Sequence, residues 1–244
     1  MTEVRDLWQA VEDGARGEGA FAVGVADLAG EAARGLLSAQ GGDLVAGFPR
    51  AVSYAFRLQD ALVGALPDGH RDTVVARLYD RHVYSSANAT LDAVGRRVAD
   101  LLQEAGFRAV SIPASMYVDP EDLLGPLPHK LPAHLAGLGW IGRSCLLVTR
   151  KHGPRVRLGT VLTDAPFPPG EPGRNFCGTC EECVTACPAG AFSGRLFSPD
   201  EPLELRMDVR ACRDYRKGVA ESTGVMTCGV CVAVCPHGRD KSAE

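Results

Sequence analysis

An α/β domain over residues 1–168, followed by a small cysteine-dense domain over 169–244, is the architecture this 244-residue sequence predicts. Three observations carry the prediction. The first two-thirds of the chain alternates stretches of helical and of strand periodicity. The segment "APFPPGEPGRN", Ala165 to Asn175, then packs four prolines and two glycines into eleven residues, as a domain boundary does. Eight of the nine cysteines follow that segment.

The elements of the first domain read off in order. "RDLWQAVEDGAR" places Leu7, Trp8 and Val11 on one helical face, and "AFAVGVADL" is a short buried strand. "EAARGLLSAQGG" predicts a helix ended by Gly41 and Gly42, and "RAVSYAFRL" alternates as a strand. A long helical stretch runs from Asp72 to Glu104, interrupted by the weak helix formers near Ser85 to Asn88, and "GFRAVSIPAS" adds a strand. Tyr117 to Lys130 holds Pro120, Pro126 and Pro128, which exclude one continuous helix and predict a loop. "AHLAGLGWIGRSCLLVT" then predicts a short helix, a glycine-rich turn and a strand. "RVRLGTVLTDAP" adds a second strand across a turn at Gly153-Pro154.

Composition narrows the function. A formal net charge of -4 gives no global electrostatic reason to bind nucleic acid or a membrane surface. The opening residues lack the basic start and apolar core of a secretory signal, and no twin-arginine signal is present. No apolar run approaches the roughly 20 residues that span a bilayer, so a cytoplasmic protein is expected. In a reducing compartment, nine cysteines point to metal ligation rather than disulfides.

The cysteines themselves form C-x2-C-x2-C-x3-C-P at Cys177, Cys180, Cys183, Cys187 and Pro188, and C-x2-C-x3-C-P at Cys228, Cys231, Cys235 and Pro236, with Cys212 upstream. Three thiols two residues apart wrap one cubane cluster, and the next turn carries the fourth to the other cluster. The pattern therefore predicts two 4Fe-4S clusters, one on Cys177, Cys180, Cys183 and Cys235, the other on Cys187, Cys212, Cys228 and Cys231. Paired C-x2-C also makes tetrahedral zinc sites, the rival reading. The compact triplet and the duplicated order favour iron and sulfur. Cys145, alternating with leucines in "SCLLV", reads as a small core residue rather than a ligand.

The stretches "AGLGWIGRSCLLVT" and "LGTVLTDAPF", together with the double cysteine motif and the "RACRDY" between its halves, resemble the epoxyqueuosine reductases and their relatives. The resemblance runs from about Gly106 to the last residue. It implies a nitroreductase-like, cobalamin-binding type of α/β domain joined to a two-cluster ferredoxin-like domain. In that family, reduced cobalamin attacks an epoxide on a modified tRNA nucleoside and an aspartic acid supplies a proton. Here the acid loop reads "VDPEDLLGPLPHK" rather than a form like "VDSGP", so Asp119 matches the first half of the motif and Asp122 its spacing to Gly125-Pro126. The helical-repeat extension of many members does not follow Cys235.

Asp119 and Asp122 are accordingly the candidate proton donors, with His129 and Lys130 as the alternative pair in the same loop. "DPEDL" is also a common way to start a helix. Gly139, Trp140 and Gly142 are the candidate cofactor-binding residues: close backbone approach to a flat cofactor, or a buried turn with a core tryptophan, both explain them. Tyr79, His82 and Tyr84 either line a pocket or pack. Arg206, Arg210, Arg213, Arg216 and Lys217 put positive charge around Cys212, suited to an acidic electron donor such as ferredoxin or flavodoxin, or to the phosphates of a tRNA. The leading expectation is an iron–sulfur oxidoreductase that passes electrons from two clusters to a corrinoid or other redox centre. The alternative is a ferredoxin-like carrier whose first domain docks partners.

Overall fold

The computed structural model describes residues 2–30, 33, 46–117 and 125–239. Apart from Ala33, the helix expected at "EAARGLLSAQGG" lies outside them. In chain order the elements are α1 (Thr2–Gly17), β1 (Ala22–Asp27), β2 (Arg50–Arg57), α2 (Asp60–Gly64), α3 (Leu66–Gly69) and α4 (Thr73–Asp80). A π-helical turn, Arg81–Ser86, leads into α5 (Ala87–Glu104), followed by β3 (Ala109–Ile112), α6 (Lys130–Leu135), β4 (Trp140–Ile141), β5 (Leu147–Val148) and β6 (Val156–Thr163). Then come α7 (Glu182–Thr185), a 3-10 turn (Leu203–Leu205), α8 (Val209–Thr223) and α9 (Val230–Ala233). No helix among the described residues is long and apolar enough to cross a membrane.

Contacts divide the chain into two units, each built from three segments. The first comprises Met1–Phe56, Ala87–Gly139 and Arg157–Gly173. Its sheet has the order β1-β2-β6-β3, with β1 antiparallel to β2 and β3 antiparallel to β6. Successive strand residues face opposite sides. Val25, Val52, Tyr54 and Val161 therefore meet one layer, Val11 and Ala15 of α1 with Leu91, Val94, Val98 and Leu102 of α5. Their neighbours Ala26, Ala51 and Leu162 meet the other, where Leu131 and Leu135 of α6 pack. Burying each such leucine or valine contributes about 1.5–3 kcal/mol. The Asp27–Arg50 register closes with an ion pair of 2.8 Å.

Tyr54 shows why two of the glycines are needed. A Cβ on Gly95 of α5 would strike the Tyr54 hydroxyl and Ser111, and one on Gly159 of β6 would strike the Tyr54 ring. The slot lets the phenol donate to the Leu91 carbonyl at 3.0 Å, and burial holds its pKa above the ordinary tyrosine range.

The second unit comprises Arg57–Ser86, Trp140–Val156 and Arg174–Glu244. The helical stretch expected over Asp72 to Glu104 is thus two helices: the π-helical turn separates them, and the unit boundary falls at its end. Asp72 caps α4 by accepting from the Val74 and Val75 N–H groups. From Phe176 onward the sequence carries only weak strand and helix signals, yet α8 runs fifteen residues. Asp208 caps its start by accepting from Ala211, and Gly224 at φ 80° ends it. Its mostly polar sequence hides an amphipathic helix whose buried side rests on Val219 and Thr223.

Candidate metal centre

All eight cysteines of the double motif lie in the second unit, on short elements. Cys183 sits in α7, Cys231 in α9 and Cys212 in α8, while Cys187 and Cys235 follow the two short helices. Cys228 precedes Gly229, whose φ of 78° turns the chain into α9. A Cβ on Gly229 would press on Leu66 and Tyr79, so α3 and α4 pack directly behind the second cysteine arm. Helices α7 and α9 pack against each other.

The thiols act on one another in two sets. Burial first, then the charges of Cys177 and Cys180, push the Cys183 thiol up to about 11. Cys235 is likewise pushed up to about 11 by burial and by Cys183, Cys177 and Cys180, against a backbone N–H from His237 that lowers it. In the other set burial raises Cys212, Cys228 and Cys231. Repulsion follows from Cys187 on all three and from Cys212 on the last two, and Arg216 offsets it at Cys212 and Cys228. Cys231 also feels Cys183. Half-buried thiols that repel in this way keep their protons until a cation takes their place, as soft-metal ligands do. The donor set therefore fits iron–sulfur chemistry. Among the described residues, no group of three or more His, Cys, Asp or Glu side chains is gathered as a site for a single metal ion.

A hairpin from the middle of the chain completes this region. Strands β4 and β5 pair Trp140 with Val148 and Ile141 with Leu147. The indole N–H of Trp140 donates to Cys177 Sγ at 3.4 Å. Its ring meets Phe176 edge-on at 5.2 Å and His237 at 4.9 Å. A Cβ on Gly142 would lie 2.9 Å from Val148 and 3.4 Å from Cys177 Sγ. Asn175 ties the same loop down, donating to the Ile141 carbonyl at 3.1 Å and accepting from the Cys177 N–H at 2.9 Å. Arg143 donates to the Gly178 carbonyl at 2.7 Å and to the Gly194 carbonyl.

The "GLGWIG" stretch, with the candidate cofactor-binding residues Gly139, Trp140 and Gly142, has these contacts within the chain. Trp140 and Gly142 are turned to Cys177, and Gly137, at φ 77°, brings its backbone against the Glu171 carbonyl. The Gly139 carbonyl accepts from His134 Nδ1 at 3.0 Å. The chain's own atoms thus surround the glycines at 137 and 142.

Of the candidate acids, Asp119 and Asp122 lie outside the described residues. His129 is described: Nε2 donates to the Pro113 carbonyl at 3.0 Å, which leaves Nδ1 to accept from the Thr160 hydroxyl at 2.9 Å. Burial, and then Arg157, hold it below the ordinary histidine range despite Pro113 and Asp92. Both ring nitrogens are thus engaged within the chain. Lys130 opens α6. Tyr79 is buried against Gly229, His82 Nε2 accepts from the Gln59 N–H at 3.1 Å, and the Tyr84 hydroxyl accepts from Arg216 at 3.3 Å. The expected basic surface is partly internal: Arg206 is buried over the Phe197 ring, and Arg216 donates to the Met226 carbonyl at 2.6 Å. Cys145 is buried, in a turn at φ 56°. Sequence reasoning passed over Asn175, Phe176 and His237, whose only signal was their position beside Cys177 and Cys235.

Residues 176–238 match the family model of the 4Fe-4S double cluster binding domain. The chain is distantly related to the epoxyqueuosine reductases: that of Listeria monocytogenes is 34% identical over 116 residues, 47% of this chain and 31% of the relative. That of Vibrio cholerae is 27% identical over 223 residues, 85% of this chain and 55% of the relative. The matched region thus spans only about a third to a half of these curated relatives. In fold, the chain resembles a catabolic reductive dehalogenase solved with 3-bromo-4-hydroxybenzoic acid, with a TM-score of 0.69 at 22% identity over 94% of this chain and 31% of that one. It also resembles the epoxyqueuosine reductase of Bacillus subtilis, with a TM-score of 0.64 at 20% identity over 98% of this chain and 67% of that one.

Proposed function

We propose that the chain is an iron–sulfur oxidoreductase in which Cys177, Cys180, Cys183 and Cys235 hold one 4Fe-4S cluster and Cys187, Cys212, Cys228 and Cys231 hold a second. The observation that carries this reading is the match of residues 176–238, which hold all eight of these cysteines, to the 4Fe-4S double cluster binding domain. A cubane supplies single electrons at a potential set by its hydrogen bonds, net charge and exposure. The chain's own part is to bury the ligands, to place N–H donors on Cys177 and, through Ala191 at 3.4 Å, on Cys187, and to set Arg216 beside the second group.

The acceptor we propose is a corrinoid or other redox centre used for a reductive reaction on an organic substrate. The support is the similarity to epoxyqueuosine reductases and the shared fold with a solved reductive dehalogenase for which B12-dependent dehalogenation is described. A low-potential donor such as ferredoxin or flavodoxin would supply the electrons, and Asp119 or Asp122 would supply a proton. A tRNA substrate finds no support in the net charge of -4.

Anaerobic reconstitution with iron and sulfide is expected to load about eight irons, with cubane EPR signals on reduction. Zinc, or iron without a cubane signal, overturns the cluster assignment. Titration of the loaded chain with cobalamin is expected to give a base-off spectrum and cluster-dependent reduction. Loaded chain that leaves the cobalamin spectrum unchanged would instead identify an electron carrier.

A further inference from the structure

We infer that Trp140 is a positioning residue for the first group of thiols, and that its indole N–H raises the reduction potential of the cluster bound there relative to the same chain without that donor. The inference rests on the cluster assignment proposed above. It concerns a residue that cysteine spacing cannot find, because Trp140 stands 37 positions before Cys177.

Four observations fix the indole. It is buried, so its N–H has no water to turn to and is committed to Cys177 Sγ at 3.4 Å. One edge contact is with Phe176, the residue before Cys177; another is with His237, two residues after Cys235. These two flanks are themselves joined, His237 Nε2 donating to the Phe176 carbonyl at 3.2 Å. Finally, the pairing of Trp140 with Val148 holds the backbone, and the absence of a side chain on Gly142 leaves room for Val148 and the Cys177 sulfur. The indole therefore bears on both ends of the first group, Cys177 and Cys235.

A donor on a thiolate withdraws electron density from the sulfur and favours the more negative, reduced state. The step is a one-electron reduction in which no bond is made or broken. The second group has different neighbours, the Ala191 backbone N–H on Cys187 and the Arg216 charge near Cys212 and Cys228. Loss of the indole N–H should leave that group unmoved.

The test is a mediated potentiometric titration of the reconstituted full chain, read by EPR, against Trp140→Phe, which keeps an aromatic ring between Phe176 and His237. At a fixed potential the reduced-to-oxidised ratio of one cluster should fall about tenfold, equivalent to about 59 mV for one electron, while the other holds its potential. As a second readout that needs no change at Trp140, the unaltered chain is labelled with indole nitrogen-15 tryptophan. Only Trp8 and Trp140 carry the label. Pulsed EPR of the reduced protein should show a nitrogen-15 coupling that persists in Trp8→Phe. Two loaded clusters with unmoved potentials in Trp140→Phe and no nitrogen-15 coupling would overturn the role of Trp140 alone. A chain that takes up no iron would overturn the assignment beneath it.

Discussion

The two units solve the burial of backbone in opposite ways. The sheet unit pairs its backbone in strands and long helices and fills two apolar layers. Apart from α4 and α8, the thiol-bearing unit has two-residue strands and short helices, and guanidinium groups reach carbonyls that its loops and helix ends leave over. Arg77 donates to Thr223, Arg143 to Gly178, Arg155 to Ala233 and Arg216 to Met226. Buried carbonyls need partners, and where no ladder runs, side chains must provide them. Charge-assisted bonds there add to the apolar burial of side chains such as Val63, Leu66 and Ile141.

The largest effect expected is on the metal. Cys187→Ala should cost about four of the eight irons and the signal of one cluster, since each cubane takes four thiolates. Metal analysis and EPR read both, and selective loss of the cluster on Cys177, Cys180 and Cys183 would break the proposed wiring.

Next comes a matched pair. Leu102→Ala in α5 should cost the sheet unit about 3 kcal/mol, from a fully buried side chain, and leave the iron count unchanged. Arg155→Ala should cost the second unit about 3 kcal/mol, because the side chain is only 7% exposed and its loss strips a partner from Ala233 and from Asp60, 3.4 Å away. Ala233 lies two residues after Cys231, so iron release under urea should quicken. If Leu102→Ala released iron as readily, the contrast between the units would fail.

The smallest effect is on pH dependence. Burial holds His129 below its ordinary value of 6.5, so below that pH the unfolded chain binds a proton that the folded chain refuses. Stability should therefore fall as pH drops from about 6.5 toward the folded value, by at most about 1.4 kcal/mol per pH unit for this group. Urea midpoints at pH 7 and pH 5.5 measure the fall, and His129→Gln should reduce it. His82 and His152, also held low by burial, would supply the remaining slope.

The strands and the long helices were legible because their signals are local. Val25 and Ala26, or Val161 and Leu162, take opposite faces by alternation alone. Helix α8 was missed because only Val219 and Thr223 are buried along it, too few to mark a periodic stripe. The π-helical turn over Arg81–Ser86 lay near the weak formers that suggested an interruption, but its role in parting α4 from α5 depends on which unit each helix joins.

By itself, then, the amino-acid order determined the thiol spacing, the strand faces and the helix caps, all set by residues within a turn or two of one another. The tertiary structure decided that Arg57–Ser86 and Trp140–Val156 belong with the cysteines, and that the indole of Trp140 turns to Cys177. Such choices between distant segments follow from which surfaces fit and which buried donors find acceptors, and no periodicity along the chain encodes them.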